Sequence, residues 1–493
     1  MIRRVAAPPA TDTATGLRVA IEYPLPDRLR AGRATALFIF GHCFDVRRRV
    51  TGLELLVGGR RHRPDAWRMP RLDLLRWLQQ IGEDPNGHSY RSGWWCSVAI
   101  PAPEAVGRVR LVAAVRLDDG AGVTAELGEL EFAVDPAPTT PATPRPAGTI
   151  AVCMATFEPE LALFAAQVQS LREQSDDRWV CVISDGGSGH DRLAEMRTVL
   201  AGDQRFILSV SERRLSPYRN FERALTLAPV AADYIGLSDQ DDRWYPDKLA
   251  ILRAGLGAAA LVYSDLRLVA PGGHVLRDSL WAGRRHDREN LGSLLVANTV
   301  PGAAMLFRRE LLELALPFPD VPGVPYHDHW LALTALAGGS LAYVDRPLYD
   351  YVQHDAAVQG TVAGGDRAAE HGSRGWRDAY FGGYVQRKLQ AQTLLARQAA
   401  ALTPRKRRAL ELMIGAERRP AAFAWLALRP LRRLWGRDET LGGEVALARG
   451  LVWRRLVAAA AGREHPGGRP WDASFPDPPR FEQRRLRRWR AGA

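Results

Sequence analysis

The sequence predicts an α/β protein in three parts: a β-sandwich over residues 1–135, a doubly wound α/β domain with a mostly parallel sheet over residues 149–367, and a helical, basic region over residues 368–493. Three observations carry that expectation. A proline-rich stretch, DPAPTTPATPRPAG from Asp135 to Gly148, is too stiff and too poor in apolar side chains to join a core, so residues 136–148 read as a linker. Before it, short apolar segments are separated by glycine-rich turns. After it, strands of the buried type alternate with helical patterns.

In the first part the apolar segments are ALFIFG (Ala36 to Gly41), LELLVGG (Leu53 to Gly59), WWCSVAIP (Trp94 to Pro101), VRLVAAVRL (Val109 to Leu117) and LGELEFAV (Leu127 to Val134). Their spacing predicts antiparallel strands in two sheets. In the second part TIAVCMA (Thr149 to Ala155) is continuously apolar, as a parallel strand covered on both faces must be. Leu161, Phe164, Val168 and Leu171 follow at helical spacing. WVCVIS (Trp179 to Ser184), FILSV (Phe206 to Val210), YIGLS (Tyr234 to Ser238) and ALVYS (Ala260 to Ser264) are the next strands. In the third part AFAWLALRPLRRLW (Ala422 to Trp435) and LVWRRLVAAAAG (Leu451 to Gly462) mix Trp and Leu with Arg. Pro430 predicts that the first of these breaks into two short helices.

At 493 residues the chain is too long for one ordinary core. Hydrophobic residues at 46% and charged residues at 25% exclude a disordered chain. Four cysteines, Cys43, Cys96, Cys153 and Cys181, lack metal-site spacing and read as buried free thiols in a reducing compartment. The net charge is +12, with Arg far outnumbering the three lysines Lys248, Lys388 and Lys406. Such a surface favours anionic partners. The N-terminus, MIRRVAAPPATDTATG, lacks the apolar stretch of a signal peptide, and no run is long enough for a transmembrane helix. The expected location is therefore cytoplasmic, with peripheral contact at the inner face of the cell membrane as an option.

Ligands of parallel sheets bind at the carboxyl ends of the strands. Asp185 follows WVCVIS and opens DGGS, Asp239, Asp241 and Asp242 follow YIGLS, and Asp265 follows ALVYS. The turn in SDQDDRWYPDKL is the most informative. Carboxylates crowded into one turn repel each other unless a divalent cation sits among them, and hard oxygen donors suit Mg²⁺ or Mn²⁺. The structural alternative is that these residues cap the helix starting near Pro246.

The ordered set MATFEPELALFAAQVQSLREQS, WVCVISDGGS, RNFERAL and DYIGLSDQDDRWYPDKLAIL resembles family two glycosyltransferases of the GT-A fold, most closely the bacterial rhamnosyltransferase-like group that builds surface polysaccharides. The resemblance covers roughly Thr149 to Gln359. It implies an inverting, metal-dependent transfer of a sugar, with rhamnose a candidate, from a nucleotide-sugar donor to a glycan or lipid-linked acceptor. It also implies that Thr156, Glu158, Asp185 and Asp239 bind the nucleotide sugar. Asp241 and Asp239 would hold Mn²⁺ or Mg²⁺. Two positions depart from the pattern: Glu158 stands where the family often has Asn, and Gly186 where it often has a second Asp.

The same resemblance places the catalytic base at Asp328, in PYHDHWLALTAL, just before an apolar helical run. An inverting transferase needs one carboxylate to take the proton of the attacking hydroxyl; the structural alternative for Asp328 is a helix N-cap. His354 in YVQHDAAV is a third metal ligand by resemblance, and imidazole is an acceptable Mn²⁺ donor. NTVPGAAMLFRREL resembles the family's acceptor-side segment, which brings in Asn298 and Gly302. Trp244, Trp281 and Trp330 are candidates for stacking on a sugar.

Two other classes compete. A carbohydrate-binding protein on a degenerate transferase scaffold would not need Asp239, Asp241 and Asp328. A nucleic-acid-binding protein would suit the arginine clusters, but no recognition motif is present and acidic strand ends oppose a phosphate track, so no nucleic-acid partner is expected.

Overall fold

The computed structural model describes residues 16–22, 25–26, 28–100, 106–134, 147–282, 289–353, 375–436 and 440–460. Most of the proline-rich stretch, His354 and the arginine-rich C-terminus fall outside them.

The first part contains β1 (Leu17–Ile21), β2 (Leu29–Arg30), β3 (Thr35–Asp45), β4 (Val50–Val57), β5 (Arg60–His62), β6 (Ala66–Met69), α1 (Leu72–Gln80), β7 (Gly93–Ile100), β8 (Gly107–Leu117) and β9 (Gly122–Ala133). One sheet has the order β1-β3-β7-β6 and the other β2-β9-β8-β4-β5. All pairings are antiparallel except β2 with β9. The sheets share one core, in which Leu37, Ile39, Trp94, Cys96 and Val98 of the first meet Leu55, Ala113, Val115, Leu130 and Phe132 of the second. This is the predicted sandwich. The alternate side chains of the first sheet, Phe38, Phe40 and Trp95, pack on the opposite side into the larger core of the chain. A sheet covered on both faces explains why ALFIFG and WWCSVAI are apolar throughout rather than alternating.

The second part runs through β10 (Ile150–Thr156), α2 (Leu161–Arg172), β11 (Trp179–Asp185), α3 (His190–Leu200), β12 (Phe206–Val210), α4 (Pro217–Thr226), β13 (Tyr234–Ser238), β14 (Arg243–Trp244), α5 (Lys248–Leu256), β15 (Leu261–Val269), β16 (Val275–Arg277), α6 (Leu291–Val296), β17 (Met305–Arg308), α7 (Leu311–Ala315), α8 (His327–Gly338) and β18 (Leu341–Val352). The sheet order is β12-β11-β10-β13-β17-β15-β18-β14, with β16 on β15. β12, β11, β10 and β13 are mutually parallel, and β17 enters antiparallel between β13 and β15. The register sets Thr156 beside Asp185 and Met154 beside Ser238, so the carboxyl ends of β10, β11 and β13 open on one cleft.

One expectation is corrected here. Asp265 does not end a strand: β15 continues to Val269 through a register shift at Ser264 and Asp265. Its buried carboxylate accepts from the amides of Leu266 and Leu280 and from Ser279 Oγ, so the bulge uses it to hold the following loop.

After β18 the described chain resumes with a short helical turn (Trp376–Asp378) that runs into a π-helical segment (Ala379–Val385), then α9 (Gln386–Gln398), α10 (Pro404–Gly415), α11 (Pro420–Ala427), a 3-10 helix (Arg429–Trp435) and α12 (Leu441–Ala460). The break after Ala427 is the one Pro430 predicts. These helices join the sandwich to the parallel sheet. Trp95 Nε1 donates to Tyr380 Oη at 3.0 Å, and Phe38 and Trp95 stack edgewise or tilted on Phe381. Beside them Lys388 Nζ lies 2.7 Å from Asp65 and 3.0 Å from Glu417, which also pairs with Arg454. All four cysteines are free and buried.

Candidate functional site

The cleft is built from the ends of β10, β11 and β13. Thr156 Oγ1 donates to Asp185 Oδ2 at 2.9 Å. Asp185 also accepts from the Gly187 and Ser188 amides at 3.0 and 2.7 Å and from Ser188 Oγ at 2.7 Å. Four donors on one carboxylate fix the DGGS loop, with Gly187 at φ 97°. Asp185 is therefore the post around which the loop is wound.

The RNFERAL segment, unassigned from sequence, braces this end from below. In α4, Asn220 Nδ2 donates to the Thr156 carbonyl at 2.9 Å while its Oδ1 accepts from Ser184 Oγ at 2.7 Å. Arg223 reaches Ser184, Ser209 and the Val210 carbonyl. Glu158 sits at φ 41°, a left-handed conformation uncommon for a side chain of this kind but natural to Asn. Its Oε1 accepts from Gly189 N at 2.6 Å, at the N-terminus of α3. The side chain that replaces Asn is thus held by the start of the next helix. Phe157 lies under the Arg214 guanidinium, 3.3 Å from ring centroid to Cζ.

The acidic turn is tied to the same strand end. Gln240 Oε1 accepts from the Phe157 amide at 2.9 Å. Asp239 and Asp241 are half-buried and Asp242 is buried. Burial pushes Asp239 up to about 7, with Asp241 and Asp328 adding repulsion. Burial pushes Asp242 well above the usual carboxylate range, helped by Asp239 and Asp241. Neither oxygen of Asp242 has a hydrogen bond of ordinary geometry, and the nearby Val352 amide offsets only a small part of the burial. The capping alternative does not hold, because α5 begins at Lys248 behind Asp247, and no side chain caps it.

Lys248 carries no signal in the sequence pattern, yet it lies at the centre of the site. Its ammonium is buried 3.4 Å from the Trp244 ring centroid and 4.3 Å from that of Tyr349, and donates to the Ala303 carbonyl at 2.6 Å. Burial drives its pKa well down, while Asp242 and Asp239 oppose that shift. Crowded carboxylates whose ionisation is opposed by burial and by each other, with Lys248 the cation that acts on two of them, present hard oxygen donors of the kind that a divalent cation would hold ionised. Among the described residues, no three His, Cys, Asp or Glu side chains already form a metal cage. Mg²⁺ and Mn²⁺ fill such partial sets with phosphate oxygens and water.

Asp328 is the second residue of α8, whose N-cap is Tyr326, so it is not an N-cap. It is buried, and its Oδ1 accepts from His329 N at 2.7 Å. It lies close enough to Asp239 and Tyr349 for its charge to oppose their ionisation. The flanking histidines pack. His327 stacks on Phe221 at 3.6 Å, and burial holds it near pKa 3. His329 Nε2 donates to the Leu294 carbonyl at 2.5 Å.

The segment around Asn298 and Gly302 is shaped by its own packing. A Cβ on Gly302 would lie 2.9 Å from His327 Nε2 and 3.3 Å from Asp328 Cβ, so this glycine lets the loop seat against the start of α8. Asn298 engages both the amide and the carbonyl of Val300 and shapes a turn. Trp244, Trp281 and Trp330 are core residues, which removes them as sugar platforms. His354 lies outside the described residues.

Residues 152–314 match the family model of glycosyl transferase family 2. Among solved structures, residues 1–349 of Staphylococcus aureus TarS align with TM-score 0.39 and 13% identity over 64% of this chain and 93% of that one. The same protein in complex with UDP-GlcNAc aligns with TM-score 0.39 and 14% identity over 64% and 93%. The mannosyltransferase PcManGT from Pyrobaculum calidifontis, in complex with GDP-Man and Mn²⁺, aligns with TM-score 0.37 and 19% identity over 64% and 89%. No curated protein matches the chain.

Proposed function

We propose that this chain, a glycosyltransferase whose residues 152–314 form a glycosyl transferase family 2 domain, moves a sugar with inversion from a nucleotide-diphosphate donor, with a divalent cation at the Asp239–Asp242 turn. The observation that carries this is the turn itself. Two of its carboxylates are held above their ordinary range, and the oxygens of buried Asp242 lack hydrogen bonds of ordinary geometry.

In this reading Asp241 and Asp239 hold Mn²⁺ or Mg²⁺, with His354 as a further donor. A cation held there would supply positive charge to offset the negative charge developing on the departing diphosphate. Asp242 and Lys248 fix the turn from below. The Thr156, Glu158 and Asp185 loops form the nucleoside wall, and the Phe157–Arg214 stack flanks it. Asp328, oriented by the His329 amide, takes the proton of the acceptor hydroxyl as that oxygen attacks the anomeric carbon. Asn298 and Gly302 shape the acceptor side. The acceptor is a glycan or a lipid-linked saccharide of a surface polysaccharide, with rhamnose a candidate for the sugar. The enzyme works on the cytoplasmic side, in contact with an anionic membrane face. The chain divides at the proline-rich stretch and again near residue 367.

A set of nucleotide sugars incubated with the protein, with and without Mn²⁺, tests this. Metal-dependent thermal stabilisation and slow donor hydrolysis by one of them are expected. Binding of free saccharide with no response to any nucleotide sugar would point instead to a carbohydrate-binding protein.

A further inference from the structure

The 3-10 helix Arg429–Trp435 is folded inside out. Two of its three arginines point inward: Arg429 Nε and Arg432 Nη1 lie 3.2 and 3.1 Å from Oε1 of the fully buried Glu444, and both residues reach Ser293 Oγ, at 3.1 and 2.9 Å. Its apolar side chains point outward. Leu428, Leu431, Leu434 and Trp435 are 58, 50, 69 and 72% exposed. Burying charge and exposing Leu and Trp reverses the ordinary arrangement, and a cluster of this kind marks a surface that meets something apolar.

We propose that this face docks on an anionic phospholipid bilayer and so holds the acceptor side of the site near the membrane. Charge selects the occupant. The chain carries a net charge of +12, Arg433 is exposed within the patch, and the exposed Arg455 of α12 lies 3.8 Å from the Phe423 ring centroid on α11. A second copy of this chain would bring like charge to the patch, whereas an anionic bilayer complements it. Leu and Trp beside Arg also suit the interface between headgroups and acyl chains. Among the described residues no helix is long and apolar enough to cross a membrane, so the contact is a surface one.

The patch is tied to the site through α6. Ser293, which holds both inward arginines, lies in α6, and a Cβ on Gly292 would meet Trp425 at 3.3 Å and Arg429 at 3.6 Å, so helix and patch fit flush. α6 leads directly into Asn298 and the loop that contacts Asp328. A lipid-linked acceptor held in the bilayer would meet the base along this route, which rests on the transferase reading.

Flotation of the full chain with phosphatidylcholine vesicles, with and without phosphatidylglycerol, tests the docking. Binding should require phosphatidylglycerol and fall with salt. Leu434→Ser/Trp435→Ser should weaken it by about tenfold or more, and Arg433→Glu should weaken it as well. Both variants change exposed side chains, so unchanged melting and unchanged donor hydrolysis in the same samples confirm that fold and site are intact. Flotation equal to wild type by the double variant overturns the proposal. So does a wild-type protein that ignores vesicles and forms dimers which the double variant dissolves. Vesicle binding without donor hydrolysis would sink the transferase reading and leave the docking standing.

Discussion

Lys248 donates to the Ala303 carbonyl from inside a cage of Trp244 and Tyr349, joining the acidic turn to the loop that seats the start of α8. One buried ammonium thus links the acidic turn to the Gly302–Ala304 loop. Removing the charge should uncover Asp242 and Asp239 together. Lys248→Met is expected to cost about 3–5 kcal/mol, the usual result of leaving a buried charge unpaired. The loss should be largest above neutral pH and partly reversed by Mn²⁺. Thermal melts across pH check it; a pH-independent loss would mean that Lys248 merely fills space.

Asp239 provides the pH dependence. Its folded pKa is near 7, above the unfolded value near 3.9. A raised acid favours the folded state at low pH, and that stability declines as pH climbs from the unfolded value through about 7. The metal-free protein should therefore lose stability across that window. Asp242→Asn should raise its melting temperature at alkaline pH, by roughly 2–4 °C per 1 kcal/mol of repulsion relieved. The same substitution should shrink the gain from added Mn²⁺. A variant that melts lower than wild type in chelator at alkaline pH would contradict this.

Asp328→Asn should retain donor nucleotide affinity and lose turnover by about 10²–10⁴-fold, since a base acts only in the transition state. Steady-state kinetics with a bound-nucleotide measurement separate the two effects. Weak donor binding with an unchanged rate would remove Asp328 from the base role.

A separate prediction concerns the seam between the sandwich and the C-terminal helices. Burial alone would raise the Asp65 pKa, but the Lys388 ammonium offsets that and holds it below its usual range. A lowered acid contributes stability above its unfolded pKa and loses it as pH falls through the folded one. Lys388→Met leaves Asp65 with Arg418 and Ser97 and Glu417 with Arg454, and loss of the cation between them should cost about 1.5–3 kcal/mol at neutral pH. If the variant melts as wild type does, the seam does not depend on this pair.

Much of the fold is legible in the sequence, for physical reasons that differ along the chain. β10 and β11 read as continuous apolar runs because both faces of a parallel sheet are covered. β1, β2, β5 and β6 do not, being short or mixed in character. β3 and β7 carry apolar residues on both faces, since the second sheet covers one and the Tyr380–Phe381 turn the other. That second covering is a long-range contact no local pattern reveals. In the site, Asp239, Asp241 and Asp328 stand out because carboxylates at strand and helix ends are conspicuous. Lys248 does not, because a single lysine at a helix start reads as solvated. Asp265 misleads because a bulge carries its strand onward. At Gly302 the sequence shows a glycine but not its neighbours, His327 and Asp328, which come from a helix some 25 residues on.

The metal and donor chemistry at the acidic turn is tested most directly by comparing Asp241→Asn with wild type in chelator-treated buffer, before and after Mn²⁺ is restored, with hydrolysis of the nucleotide sugar that stabilises the protein as the readout. Wild type should be silent in chelator and recover with Mn²⁺, while Asp241→Asn, folded to the same melting behaviour, should stay silent in both. Full activity of Asp241→Asn without metal would contradict the assignment of this turn to metal and diphosphate.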